Sequence, residues 1–231
     1  MSRKAVVVEL FTSEGCSSCP PADALLGRLR QETLVEGVEV IPLGLHVDYW
    51  NHQGWIDRFS SASYTDRQAK YADHLHVEGP YTPQMVVDGS WQFTGNDPMR
   101  ALQAIQQAAS RPAQADVQIA PAGEGKFQVK VKGAPNTSGD VMLALTEDNL
   151  ASKVSGGENT NRELHHSAVV RELRSLGHLR NGNFEDRVSV NLKKDWKRDD
   201  LRIVVFAQQS HAGAIEGAAS LPLADNAASA R

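Results

Sequence analysis

A Cys-x-x-Cys pair followed at once by two prolines constrains this chain more than any other feature. Cys16 and Cys19 come after the β-branched apolar run Ala5 to Phe11, which predicts a buried strand. Pro20 and Pro21 are tolerated in a helix only in its first turn, and the leucines beyond them recur at helical spacing. The local prediction is therefore strand, dithiol, helix, with Cys16 at or just before the helix N-terminus.

This position predicts redox chemistry. A helix N-terminus stabilises a thiolate and lowers the pKa of a cysteine from about 8.5 into the range of about 3.5 to 7.5. Cys16 is the candidate nucleophile, and Cys19 is placed to resolve a mixed disulfide. Two alternatives stay open: zinc ligation, which normally takes four ligands where this sequence has 2 cysteines, and a structural disulfide, which would stabilise little because its loop is so short.

The composition argues against several classes of partner. A net charge of −4 favours no nucleic-acid partner, and no apolar run reaches the ~20 residues of a membrane helix. The first apolar run is short and broken by Glu9, so no signal peptide is expected in the sequence as written. A mature form of an exported protein is the alternative, which leaves the compartment open.

An aromatic segment, DYWNHQGW, follows a second predicted strand from Val38 to Val47. Ligands of parallel α/β sheets bind beyond the carboxyl ends of the strands. Tyr49 and Trp50 are therefore predicted to line a substrate site near the cysteines, with core packing as the alternative. His46 and Asp48 are candidates for proton transfer to or from Cys19.

The first half resembles the thioredoxin superfamily. Its predicted order is strand, helix, strand, helix, strand, strand, helix, with the C-x-x-C after the first strand and Thr82-Pro83 opening the third. The second and third helices are predicted over Ser63 to His76 and Met99 to Ala109. The resemblance implies a cis Thr82–Pro83 bond against the dithiol, with the residue 82 backbone free to pair with an extended substrate.

More narrowly, the chain is identified as a member of a bacterial family of unknown function, DUF1223, whose members are often exported. The strings that carry this resemblance are ELFTSEGCSSCPPAD, HVDYWNHQGW, YTPQMVVDG and GENTNRELHHSAVVREL. The family implies a fold but no established substrate. Relative to classical thioredoxin, Ser17 and Ser18 replace Gly-Pro and no tryptophan precedes Cys16, so partner choice is expected to differ.

The second half has a different pattern, in which short alternating strands are separated by Gly, Pro and Asn turns. Such a pattern predicts a small antiparallel β-sandwich. The predicted fold is therefore an α/β thioredoxin-like domain with a mixed central sheet flanked by helices, over residues 1–112. A β-sandwich accessory domain with a disordered C-terminal tail follows over residues 113–231.

Two polar features of this half are interpreted as structural. His165 and His166 are adjacent in a predicted strand, where their side chains face opposite sides and cannot share a regular metal site. Glu158, Asn159 and Arg162 lie in a polar loop, interpreted as a turn, with docking against the first domain as the alternative.

These observations predict a thiol-disulfide oxidoreductase that needs no cofactor beyond its Cys16–Cys19 disulfide and holds no metal. Its partners would be a protein or small-molecule disulfide or dithiol and a redox recycling partner. One alternative is a copper chaperone in which His46, His52 or Met85 completes a Cu(I) site. Another is a non-catalytic binding module, favoured if both cysteines are buried with ordinary thiol pKa values.

Overall fold

The computed structural model describes residues 3–32 and 34–224. The tail predicted from Ala224 onward lies, apart from Ala224 itself, outside the described residues. The first half follows the predicted order of elements. They are β1 (Lys4–Thr12), α1 (Pro20–Gln31), β2 (Val38–His46), α2 (Ala62–His74), β3 (Gln84–Val87), β4 (Trp91–Thr94) and α3 (Pro98–Ser110).

The second half consists of strands and one 3-10 turn, Arg198–Asp200. The single strand predicted around His165 is divided in two, because Ala168 has a φ of +52° and interrupts it. The strands are β5 (Ala115–Pro121), β6 (Lys126–Gly133), β7 (Asp140–Glu147), β8 (Leu150–Lys153), β9 (Glu163–His166), β10 (Val169–His178), β11 (Asn183–Ser189), β12 (Leu201–Gln208) and β13 (Ile215–Pro222).

One mixed sheet of eight strands contains strands from both halves, in the order β13-β12-β7-β10-β2-β1-β3-β4. β1 is parallel to β2 and antiparallel to β3. The halves join where Val169 of β10 pairs in parallel with Gly44 of β2, and the Gly44 N–H donates to the Ala168 carbonyl at 2.8 Å. Strands β7, β10, β12 and β13 of the second half therefore extend the sheet of the first half.

Two smaller antiparallel sheets accompany the large one, β11-β6-β5 and the hairpin β8-β9. The alternating sequence of β6 turns Phe127, Val129 and Val131 inward, each at most 1% exposed. They share an apolar core with Leu143 of β7 and Ile203 of β12. The three-stranded sheet thus packs over the part of the large sheet that contains β7 and β12.

The part of the large sheet that the first-half strands form is covered by helices on both faces. β1 is buried on both faces from Val6 to Thr12, as expected for a central strand flanked by layers of helix. α1 and α3 pack on one face through Leu26 and Ile105, while Tyr71 of α2 packs on the other. The carboxyl end of β1 therefore delivers the C-x-x-C segment to the amino end of α1.

Candidate redox site

Cys16 and Cys19 form a disulfide between β1 and α1. Cys19 is the N-cap residue of α1, and Pro20 and Pro21 occupy its first turn as predicted. Cys16 lies in the preceding turn, where its N–H donates to the Ser13 carbonyl at 3.2 Å. Both cysteines are 0% exposed, so neither sulfur is open to solvent in this conformation.

Trp50 connects the cysteine loop to the proline loop. Its Nε1 donates to Thr82 Oγ1 at 2.9 Å, and a β-carbon placed on Gly15 would lie 3.1 Å from Trp50 Cβ. The Thr82–Pro83 peptide bond is cis. The structure thus brings Trp50 and Thr82 together next to the loop that carries Cys16.

Tyr49 and Asp48 make their contacts with α2. The Tyr49 hydroxyl donates to Gln68 Oε1 at 3.2 Å, and burial raises the pKa of Tyr49. Asp48 Oδ1 accepts from Thr65 Oγ1 at 2.5 Å. Both residues therefore anchor α2 to the end of β2, and Gln68 continues the connection by donating to the Tyr81 carbonyl.

His46 forms a buried ion pair below the cysteine loop. Its Nδ1 lies 2.7 Å from Asp57 Oδ2, which also accepts the Glu14 N–H at 2.9 Å. Burial works to lower the pKa of His46, but the charge and hydrogen bond of Asp57 outweigh it and raise that pKa. Burial likewise works to raise the pKa of Asp57, and His46 reverses it. The pair is thereby stabilised in its charged form.

A second buried contact joins the two halves. His166 Nε2 lies 3.2 Å from Glu14 Oε1, and Glu14 Oε2 accepts from Trp55 Nε1 at 2.8 Å. Burial tends to raise the pKa of Glu14, yet these bonds, His166 foremost, lower it. His166 Nδ1 makes no hydrogen bond within the described part of the chain and lies 3.9 Å from Asp23 Oδ2.

Asp23 stands one helical turn after Cys19. Its N–H donates to the Cys19 carbonyl at 3.1 Å, so the two side chains share a face of α1. Asp23 is 8% exposed, and burial raises the pKa of its carboxyl. A carboxyl group ready to hold a proton is therefore attached to the helix that begins at the disulfide.

These five groups form what we name the carboxyl–imidazole cluster: Glu14, Asp23, His46, Asp57 and His166. The two imidazole rings pack edge to face with centroids 4.9 Å apart. Within residues 3–32 and 34–224, no group of three His, Cys, Asp or Glu side chains is arranged to hold a metal ion. The cluster brings three carboxyl groups and two imidazole rings together in the protein interior. The sequence hypothesis included only His46 among its members.

The polar loop between β8 and β9 lies against the cysteine loop. We name residues 154–162 the strap. Asn159 Nδ2 donates to the carbonyl oxygens of Glu14 and Cys16, both at 2.9 Å, and Glu158 Oε2 accepts the Ser17 N–H at 2.9 Å. These contacts match docking against the first half, the alternative interpretation of this loop, and go beyond a simple turn.

The profile of a family described as "Protein of unknown function (DUF1223)" matches residues 7–208. The chain belongs to the DUF1223 family. No curated protein matches it. A crystal structure of protein AGR_C_4864 from Agrobacterium tumefaciens is similar, with 28% identity and a TM-score of 0.74 over 96% of this chain and 95% of that one. Because both chains are covered almost entirely, this DUF1223 protein shares its fold across both halves.

A second solved structure is much less similar. It is a domain of the outer membrane lipoprotein Omp28 from Porphyromonas gingivalis, with 17% identity and a TM-score of 0.27 over 48% of this chain and 88% of that one. Among the described residues of the DUF1223 protein, no helix is long and apolar enough to cross a membrane.

Proposed function

We propose that this DUF1223 protein is a thiol-disulfide oxidoreductase whose first half is a thioredoxin-like unit. The observation that carries the proposal is the Cys16–Cys19 disulfide at the start of α1, with Asp23 of the carboxyl–imidazole cluster one turn further along the helix. A disulfide that closes so short a loop adds little stability. A structural disulfide would also have no use for a buried carboxyl group of raised pKa on the same helix face.

The proposed reaction begins with the reduced protein. The Cys16 thiolate attacks one sulfur of a substrate disulfide; a bond forms between Cys16 and that sulfur, and the other substrate sulfur leaves as a thiolate. Cys19 then loses its proton and attacks Cys16 Sγ, which restores the Cys16–Cys19 bond and releases the second substrate thiolate. The substrate gains two electrons, and a dithiol partner returns the protein to its reduced form.

The proton of Cys19 requires an acceptor during the second step. Asp23 lies on the same face of α1 as Cys19, and its raised pKa favours holding a proton inside the protein. His166 stands 3.9 Å behind it, and His46 is in ring contact with His166. Asp23 is therefore the proposed acceptor, with the two imidazoles as the path onward. A role for Asp48, whose Oδ1 accepts from Thr65 Oγ1, stays a prediction.

The proposed substrate surface is the loop before β3. Within the described chain the Thr82 backbone N–H and C=O make no hydrogen bond, which leaves both free to pair with an extended peptide. Trp50 fixes this loop through Thr82 Oγ1, and it is partly exposed, as is Tyr49. Both aromatic rings are proposed to contact the substrate beside the disulfide.

The test is to trap the intermediate. We expect Cys19→Ser to accumulate a mixed disulfide through Cys16 when the reduced variant meets oxidised glutathione, as measured by intact mass. Cys16→Ser is the matched control and should form none. A reduction potential between about −120 and −270 mV supports exchange activity, whereas a pair that stays oxidised below about −300 mV is a structural disulfide and overturns the proposal.

A further inference from the structure

We propose that the strap, residues 154–162, is a gate that closes the Cys16–Cys19 disulfide and must lift before exchange can occur. This inference rests on the proposed function, since it concerns access to the same two sulfurs. Its starting point is a conflict between chemistry and burial: both cysteines are 0% exposed, although a sulfur must be reached in line by an attacking thiolate.

Asn159 is the centre of the closed state. It is 0% exposed, and its Nδ2 donates to carbonyls on both sides of the turn that leads to Cys16. Its Oδ1 accepts from Arg162 at 3.1 Å. The two bonds to Glu14 and Cys16 connect the strap to the cysteine loop and break together when the strap lifts, whereas the Arg162 bond lies within the strap and holds its shape.

Glu158 adds a second fastening on the solvent side. Its carboxylate accepts the N–H of Ser17, the residue between Cys16 and Ser18. Hydrogen bonds to ionised groups are stronger than neutral ones, and this bond lowers the pKa of Glu158. Asn159 thus binds the backbone on the amino-terminal side of the cysteine loop, at Glu14 and Cys16, and Glu158 binds it at Ser17.

Close backbone packing keeps the strap in register with the first half. A β-carbon placed on Gly156 would collide with the carbonyl oxygen of Gly54, and one on Gly157 would lie 3.4 Å from Trp55 Cβ. Trp55 in turn donates to Glu14. Any side chain at residue 156 would therefore push the strap away from Gly54. The substitution would do so without touching either cysteine.

The gate makes a quantitative prediction for reduction. If the sulfurs react only in the open state, the observed rate equals the intrinsic rate multiplied by the open fraction. Weakening the closed state then accelerates reduction without changing the disulfide itself. Asn159→Ala and Gly156→Ala should each raise the rate constant for reduction by dithiothreitol about tenfold or more, and Glu158→Ala should raise it by a smaller factor.

Two control variants are available. Glu163→Gln alters an exposed carboxylate just beyond the strap, and Gly79→Ala adds a methyl group where nothing lies within 4 Å; both should react at the wild-type rate. Near-ultraviolet circular dichroism establishes that each variant is folded. Because Glu158 is exposed, Glu158→Ala keeps the test valid even if Asn159→Ala unfolds.

Unchanged reduction rates in the folded strap variants would overturn the gate, because they would show that the strap does not limit access. This readout needs only dithiothreitol and the protein's own disulfide. Failure of the proposed function would be seen separately, as absence of a trapped mixed disulfide in Cys19→Ser. The two hypotheses therefore fail through different measurements.

Discussion

His166 Nδ1 lies 3.9 Å from Asp23 Oδ2, and it makes no hydrogen bond to any described residue although its side chain is only 2% exposed. A buried polar atom left unpaired destabilises the fold by about 1–3 kcal/mol. The unpaired nitrogen faces the Asp23 carboxyl group, whose pKa is raised by burial. The contact crosses from β9 to α1, and thus from one half of the chain to the other.

The first prediction concerns Asp23 as proton acceptor. Asp23→Asn should slow closure of the mixed disulfide with oxidised glutathione by about 10² at neutral pH, because a positioned general base typically contributes that much or more. The difference in rate between Asp23→Asn and wild type should shrink as pH rises, because Cys19 then ionises without a general base. Stopped-flow rates between pH 6 and 9 measure this. Asp66→Asn, an exposed change on α2, is the control, and an unaltered pH profile in Asp23→Asn would remove Asp23 from the mechanism.

A second prediction concerns the buried ion pair between β1 and α2. Arg67 Nε donates to Glu9 Oε1 at 2.6 Å, and its second nitrogen donates to Oε2 at 3.0 Å. Glu9→Gln leaves a buried guanidinium uncompensated and should lower the free energy of unfolding by about 3–5 kcal/mol. Urea denaturation provides the measurement. Arg100→Gln breaks an exposed pair of 3.8 Å and should cost under about 1 kcal/mol; equal losses would contradict the interpretation.

Asp88 predicts how stability depends on pH. Burial raises the pKa of its carboxyl to about 7, despite a hydrogen bond from the Val7 N–H. A carboxyl whose folded pKa exceeds its unfolded value near 3.9 binds more protons when folded, so its contribution falls as pH rises from about 4 to 7. Wild type should therefore lose about 2–3 kcal/mol relative to Asp88→Asn between pH 5 and 8.

Asp88→Asn is a clean comparison for this purpose. Residue 88 has a φ of +43°, which asparagine tolerates, and the amide oxygen can still accept from Val7. Denaturant titrations of both proteins at several pH values give the difference. A difference that stays constant across that range would show that Asp88 does not titrate there.

The fourth prediction concerns packing beside the proline loop. A β-carbon on Gly95 would lie 2.6 Å from Leu10 Cδ1 and 3.3 Å from Pro83 Cβ. Gly95→Ala should therefore destabilise the protein by about 1–3 kcal/mol and slow mixed-disulfide formation by displacing Pro83. Thermal unfolding and the glutathione reaction test the two effects. Gly79→Ala, with open space around it, should change neither.

The first half was predictable because its signals are local. A strand of β-branched residues, two prolines at positions that only a first helical turn accepts, and Asp88-Gly89 between two strands each specify their own geometry. The disulfide, whose cysteines are three residues apart, belongs to the same class. The resemblance to DUF1223 was confirmed over residues 7–208.

The rest depends on contacts between distant residues, for which alternation and spacing carry no signal. His166 and Asn159 have the same local pattern whether they bind Glu14 or face solvent. Gly44 offered one hint, since a glycine inside a strand often marks the close approach of another backbone, here Ser167 and Ala168. The thioredoxin-like label, the division at residue 112 and the roles of Tyr49 and Asp48 stay predictions.

The single parallel pairing of Val169 with Gly44 bears on modularity. With β10 in place, β2 is an interior strand; without it, β2 would be an edge whose exposed amide and carbonyl groups invite association with other chains. A fragment that ends near residue 112 would lack β10 and is therefore expected to associate with other chains through the edge of β2.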